Sequence, residues 1–416
     1  MQTNLASEFK GTPDGDAAEA ILRKCVHCGF CTATCPTYQL LGDELDGPRG
    51  RIYLMKQVLE GAAATRSTQQ HLDRCLTCRS CETTCPSGVE YGQLAEIGRR
   101  LVDERVARPL GERVLRTALA QGLTSPLFGP AIKLGQLVRP LLPAALRARV
   151  PPRAMRPGRW PTGTQPRRVL LLAGCVQPTL MPNVNSATAR VLDAAGIETV
   201  VADGAGCCGA LRTHLGDRDG GRADIRRNVD AWWPLVEGLD GRPAVEAIVM
   251  NASGCGAMVK EYGHALAGDP TYAGRAARIG ALTRDLSELL PGLVPQLRPL
   301  LAGAAVRRLA FHSPCTLQHG QRLRGSVEAP LRALGFEVAV PAAEGHMCCG
   351  SAGTYSVLQA PLANALRARK LAELEPLAAE VIVSANVGCI GHLQGGTATP
   401  VRHWVEVLDA ALPGRD

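Results

Sequence analysis

The chain has 416 residues, of which 46% are hydrophobic, 20% charged and only 4% aromatic, a balance that excludes general disorder and, at this length, calls for two or three domains rather than one core. No apolar run approaches the roughly 20 residues of a membrane span, and Met1 to Lys10 lacks a basic stretch followed by an apolar one, so a cytoplasmic protein is expected, without signal peptide or transmembrane segment. Sixteen cysteines on a chain of net charge +8 argue, in a reducing compartment, for metal chemistry over a disulfide framework.

In chain order, the cysteines divide the sequence into three zones. The first, to about residue 100, alternates short cysteine loops with helix-like segments such as Gly50–Glu60 and Gln93–Val106 and reads as mainly helical. The second has no cysteine. Its apolar residues recur at helical spacing in Leu110–Ala120 and Ala131–Leu142, and Pro151–Pro166 has the proline and arginine content of a linker. Cations crowd this middle region (Arg99, Arg100, Arg105, Arg108, Arg113, Arg116, Lys133, Arg139, Arg147, Arg149, Arg153, Arg156, Arg159, Arg167 and Arg168), a pattern that suits either an anionic partner surface or an ordinary solvated face. Beyond residue 166, strand-like runs at Val169–Leu172, Thr199–Val201, Ala247–Met250, Arg308–Phe311, Glu337–Val340 and Val381–Val383 alternate with helical patterns such as Ala187–Ala195 and Leu362–Leu374. That alternation implies α/β units with a largely parallel sheet.

Two internal repeats carry the chemistry. Cys25-Val-His-Cys28-Gly-Phe-Cys31-Thr-Ala-Thr-Cys35-Pro36 recurs fifty residues later as Cys75-Leu-Thr-Cys78-Arg-Ser-Cys81-Glu-Thr-Thr-Cys85-Pro86. Each copy is the C-x2-C-x2-C-x3-C-P run of bacterial two-cluster ferredoxins, in which three thiolates wrap one [4Fe–4S] cubane and the fourth reaches the other. The expected sets are Cys25, Cys28, Cys31 and Cys85 on one cluster, and Cys35, Cys75, Cys78 and Cys81 on the second. Paired C-x2-C motifs also serve zinc, but the third step and the duplication favour iron–sulfur. In the second repeat, Cys175, Cys207-Cys208-Gly209 and Cys255 return as Cys315, Cys348-Cys349-Gly350 and Cys389. Two similar α/β lobes follow, each with four cysteines just past strand ends, where a parallel sheet gathers its ligands. These eight cysteines suit further thiol or cluster sites, or buried structural positions. The G-x-G-x-x-G match at Gly204–Gly209 loses its leading glycines in the second copy, so it belongs to the cysteines rather than to a dinucleotide.

The fold class expected is therefore multidomain: an α-helical ferredoxin-like domain (1–106), a basic helical segment with a Pro/Arg-rich linker (107–166), and two Cys-Cys-Gly α/β lobes (167–300 and 301–416). Other residues noted are Arg49 and Arg51 between the cluster motifs, the adjacent Trp232 and Trp233, and His312, His319, His346 and His392 beside the second lobe's cysteines.

This layout resembles the iron–sulfur subunits of flavin-linked 2-hydroxy-acid and glycerol-3-phosphate dehydrogenases, and the Cys-Cys-Gly unit resembles that of heterodisulfide reductase. In detail, Cys25–Gly61, His71–Gly88, Asp230–Pro234, Ser253–Gly263 and Cys348–Tyr355 are similar to the bacterial glycolate oxidase iron–sulfur subunit family. The resemblance implies two [4Fe–4S] clusters on this chain, FAD on separate dehydrogenase subunits that convert glycolate to glyoxylate, and a respiratory electron acceptor of the quinone type. It also implies a complex that could sit on the inner face of the cell membrane, and a chain inactive on the hydroxy acid alone. One departure stands out: heterodisulfide-reductase lobes close with C-x2-C, whereas here Met258 and His392 occupy the position of the fifth thiolate. Competing readings are thiol–disulfide reduction at the Cys-Cys-Gly sites and a zinc-stabilised nucleic-acid module, although no nucleic acid partner is expected.

Overall fold

The computed structural model describes residues 1–143, 147, 150–151, 156–301 and 308–413. Arg149 and Arg153 of the basic region lie outside the described residues. The N-terminal part is helical, with longer helices at Pro13–Lys24, Pro48–Leu59 and Tyr91–Arg105 around the cysteine loops. Their apolar faces, including Ile21, Leu22, Ile52, Met55, Leu94 and Val102, close a core that also takes in Cys25 and Cys81. Proline opens all of the helices Pro13–Lys24, Pro36–Leu41 and Pro48–Leu59, where its missing N–H costs no hydrogen bond. Pro36 in this role follows Cys35 directly, so the motif's last cysteine is also the helix N-cap residue.

Helices Leu110–Thr124 and Phe128–Val138 follow. Six of the cations of this region are committed to ion pairs: Arg100 with Asp14, Arg105 with Glu8, Arg108 and Arg116 with Asp73, Arg167 with Glu246 and Arg168 with Asp240. That share of the charge excess is spent on holding elements together. Leu110, Val114, Leu127, Leu134, Leu137 and Leu141 of the same segment are exposed. No described helix is long and apolar enough to cross a membrane.

Each lobe is a four-stranded parallel sheet. In the first the order is β2-β1-β3-β4, with β1 Arg167–Leu171, β2 Ile197–Val200, β3 Ala247–Met250 and β4 Thr283–Asp285; in the second it is β6-β5-β7-β8, with β5 Arg308–Phe311, β6 Glu337–Ala339, β7 Val381–Ser384 and β8 Val401–His403. β4 and β8 were not legible as strands. Each is three residues long with an exposed charged centre, and each runs straight into a capping box, Asp285 with Glu288 and His403 with Glu406, so the polar residues that hide the strand are those that start the next helix. The lobes share one core: Val169, Val184, Leu192 and Leu290 pack with Phe311, Leu331, Val383 and Trp404. Trp232 is fully buried and stacked on Tyr262 at 6.1 Å, a packing role.

Candidate metal centres

In both ferredoxin-type motifs the backbone enters the left-handed region at the same two places, His27 and Gly29 in the first copy, Thr77 and Arg79 in the second, with φ of 56°, 85°, 53° and 60°. Such angles in a β-branched residue are unfavourable and persist only where the surroundings impose them. At Thr77 the imposing group is Arg99, whose guanidinium donates to the Thr77 hydroxyl at 2.9 Å and to the Leu72 carbonyl. The effect is to curl each loop so that its sulfurs face one point.

Cys25, Cys28, Cys31 and Cys85 line one small cavity of about 30 Å3, together with Cys81, Ile52 and Tyr91. Cys35, Cys75, Cys78 and Cys81 form the second group, close enough that Cys78 and Cys81 are each influenced by Cys35 and Cys75. Sulfur donors clustered inside an apolar shell fit the chemistry of cubane ligation. Burial pushes the Cys75 thiol up, but Arg51, Arg99, the Thr77 N–H and the Tyr91 hydroxyl outweigh it and bring it below the ordinary thiol value, which favours the thiolate a metal requires.

The two groups differ in exposure. Cys28 is exposed, and Val26 and Phe30 beside it are 67% and 62% exposed. The second group faces inward, against the second lobe: Leu76 and Cys78 pack with Cys315, Cys348 and Tyr355. Between them Arg51, only 1% exposed, donates to the His71 carbonyl and to Thr37 and pairs with Asp46, which also takes Arg74 and His71. Arg49 instead pairs with Glu44 at the surface.

In the lobes, Cys175 and Cys315 follow β1 and β5, the Cys-Cys pairs follow β2 and β6, and Cys255 and Cys389 lie in the first turn of the helices Ser253–Lys260 and Val387–Gln394. All eight collect at the carboxyl edges of the sheets, four per lobe. The glycine of each Cys-Cys-Gly has a physical reason. Gly209 and Gly350 have φ of 92° and 90°, and a Cβ there would meet the Gly221 carbonyl at 2.9 Å or the Ala363 carbonyl at 2.4 Å. Their N–H groups donate to Cys207 and Cys348 sulfur at 3.4 and 3.5 Å.

The surroundings of the two lobes diverge. In the first, Asn228 donates to the Cys207 carbonyl and Tyr262 to that of Cys208, at 2.8 and 3.0 Å. Hydrogen bonds from Cys175 and Cys208 and the Gly209 and Leu211 amides pull Cys207 well below the usual thiol range. This site opens on a cavity of about 1820 Å3 whose walls also carry Cys75, Cys78 and Tyr355. In the second lobe Cys315, Cys348, Cys349 and Cys389 are all buried. His319 links that lobe to the ferredoxin-type part, sharing a hydrogen bond with the Thr83 hydroxyl at 2.8 Å and donating from Nε2 to the His346 carbonyl at 2.9 Å. His392 contacts the Ala363 carbonyl. The roles of Arg99, Tyr355 and Asn228 were invisible to sequence reading because their partners lie far along the chain, whereas Arg51 stood out there by its place between the cluster motifs.

Residues 21–89 match the family model of the 4Fe-4S dicluster domain, and residues 169–260 and 309–394 that of the cysteine-rich domain. The glycolate oxidase iron-sulfur subunit of Escherichia coli is 52% identical over 99% of both chains. This chain belongs to the glycolate oxidase iron–sulfur subunit family. A second relative, the probable glycolate oxidase iron-sulfur subunit of Bacillus subtilis, is 33% identical over 94% of this chain and 92% of its own. Lactate utilization protein A of Geobacillus thermodenitrificans is 31% identical over 58% of this chain and 98% of its own. Membership of the glycolate oxidase iron–sulfur subunit family accounts for both repeats at once, and the dicluster and cysteine-rich domains fit an electron-transfer role.

Proposed function

We propose that this chain is the electron-transfer subunit of a flavin-dependent complex that oxidises glycolate to glyoxylate. The reading is supported by one observation above all: a full-length relationship to glycolate oxidase iron–sulfur subunits. Cys25, Cys28, Cys31 and Cys85 would hold one [4Fe–4S] cluster, and Cys35, Cys75, Cys78 and Cys81 the other. Bound clusters supply one-electron carriage; the remaining work is done by the protein around them. Oxidation of glycolate releases two electrons and two protons, a step for FAD on partner dehydrogenase subunits, which hand electrons on singly.

The asymmetry in exposure suggests a direction. Cys28, flanked by the exposed Val26 and Phe30, is the side on which a flavoprotein partner docks. The second set opens toward the large cavity through the half-buried Cys75 and Cys78, the side on which a respiratory acceptor of the quinone type is met. The same reading divides the chain at residues 106, 166 and 300. A complex attached peripherally to the membrane fits the exposed leucines of residues 110–141.

The test is reconstitution. Glycolate should reduce the iron–sulfur chromophore of this chain only when the FAD subunits are present, and the isolated chain should leave glycolate unchanged. Turnover of a disulfide substrate by the isolated chain at the Cys207 site, with no response to glycolate in the complex, would replace this reading by thiol–disulfide reduction.

A further inference from the structure

The helix Phe128–Val138 has a single charged residue, Lys133, and buries none of its residues. The helix before it, Leu110–Thr124, buries Ala120 alone. A helix as apolar as Phe128–Val138 normally lies inside a core or against another apolar phase. Leu127, Leu134 and Leu141 recur at intervals of seven residues and are 73%, 63% and 85% exposed, and Leu137, at 63%, follows Leu134 by three. Helical spacing of that kind lines the four up along one side. The segment is nonetheless fixed in place: Arg116 pairs with Asp73 at 2.9 Å, and Arg212 donates to Gln121 and Thr124, both at 3.0 Å.

Charge singles out what covers the stripe. From Arg113 to Leu192 the sequence carries twelve lysines and arginines and no aspartate or glutamate. Arg116, Arg167, Arg168 and Arg190 reach carboxylates from outside that stretch, Asp73, Glu246, Asp240 and Asp409. Among the described residues, Arg113, Lys133, Arg139, Arg147, Arg156 and Arg159 form no ion pair. Bare leucines beside unpaired cations, with no carboxylate between them, match the acyl boundary and anionic headgroups of a lipid leaflet. A second copy of this chain is a poor occupant, because it would set the same cations against themselves. Neither helix is long enough to cross a bilayer, so the segment lies in the plane of the leaflet. It also borders the large cavity, whose lining includes Leu123 and Pro151 together with Cys75 and Cys78.

We propose that residues 110–141 form an in-plane docking surface for an anionic lipid leaflet, with Leu127, Leu134, Leu137 and Leu141 in the acyl boundary and Arg113 and Lys133 at the headgroup phosphates. Docked in this way, the chain holds the large cavity beside the bilayer, where a lipid-soluble acceptor reaches it without crossing water. The proposal gives the peripheral attachment put forward above its residues and its lipid class, and it rests on that reading for the acceptor.

The experiment is flotation of the full chain, purified without oxygen and with its iron, on vesicles of phosphatidylcholine alone or with about 30% phosphatidylglycerol. The wild type should float with the anionic vesicles about ten-fold more than with the neutral ones, and about 0.5 M salt should remove most of the difference. Leu134→Glu combined with Leu137→Glu, at two exposed positions, should lower flotation about ten-fold or more with iron content unchanged. Lys133→Gln alone should lower it about five-fold. A wild type that stays in solution with both vesicles, one that floats equally with both, or a double variant that floats like the wild type would each overturn the proposal. A double variant that floats normally and fails to bind the FAD subunits would assign the face to a protein clasp instead. Flotation of the isolated chain needs no flavin subunit, so its failure leaves the glycolate reading standing, and failure of glycolate to reduce the clusters through the FAD subunits would sink that reading without moving the flotation result.

Discussion

The hydroxyl of Tyr355 donates a 3.0 Å hydrogen bond to the carbonyl of Arg74, 281 residues earlier in the chain. Arg74 is the residue before Cys75, so the second lobe grips the second cysteine loop at its entry. Tyr355→Phe keeps the packing with Leu76 and removes only this bond, worth about 1 kcal/mol. We expect a small loss of stability, together with faster air bleaching of the iron–sulfur absorbance at the second cluster; timed loss of visible absorbance, with EPR to identify the cluster lost, checks it.

Arg51 is the hub between the two loops, and its removal takes donors from the His71 carbonyl and Thr37 and one of three partners from the buried Asp46, which keeps Arg74 and His71. Arg51→Met should cost about 2–3 kcal/mol through those lost charge-assisted hydrogen bonds and lower the bound iron. Arg51→Lys, which keeps the charge but not the fork of donors, should recover part of that loss. Denaturant midpoints and iron content of the three proteins decide it.

Gly350→Ala tests why the lobe motif ends in glycine. A methyl group there meets the Ala363 carbonyl at 2.4 Å in a backbone with φ of 90°, so both strain and overlap oppose it, and a loss of about 3 kcal/mol or more is expected. Gly11→Ala has a similar backbone, with φ of 71°, but open space around it and should cost only about 1 kcal/mol. The difference in thermal midpoint between the two variants is the readout.

Acid sensitivity follows from His403. Burial pushes its pKa down to about 3, and its Nδ1 accepts from the Val405 N–H at the helix start. The unfolded chain takes up a proton below about pH 6.5 while the folded one stays neutral, so the unfolded state binds more protons between those values and stability falls as pH drops through that window, by about 1.4 kcal/mol per unit. His403→Asn keeps a capping side chain without the titration. Between pH 6.5 and 5 the wild type should lose about 2 kcal/mol more than the variant, measured by anaerobic denaturant unfolding.

Much of this was written locally in the sequence. The ferredoxin-type cysteines declare themselves because cluster ligation fixes their spacing along the chain, and the central strands were legible because their apolar runs are buried on both sides, as in Ala247–Met250 and Val381–Ser384. Strands β4 and β8 were hidden by Arg284 and Arg402 at their centres. The basic middle region looked like a surface for an anionic partner, yet four of its arginines find Asp73, Asp14 and Asp240, residues up to about ninety positions away.

The central claim is that eight cysteines hold two cubanes. An iron and acid-labile sulfide count with EPR of the reduced state, on protein purified without oxygen, tests it most directly. The account predicts about eight irons and eight sulfides per chain with magnetically coupled signals, falling to about four irons when Cys28 and Cys31 are both replaced by serine. A chain with four irons or fewer would contradict it.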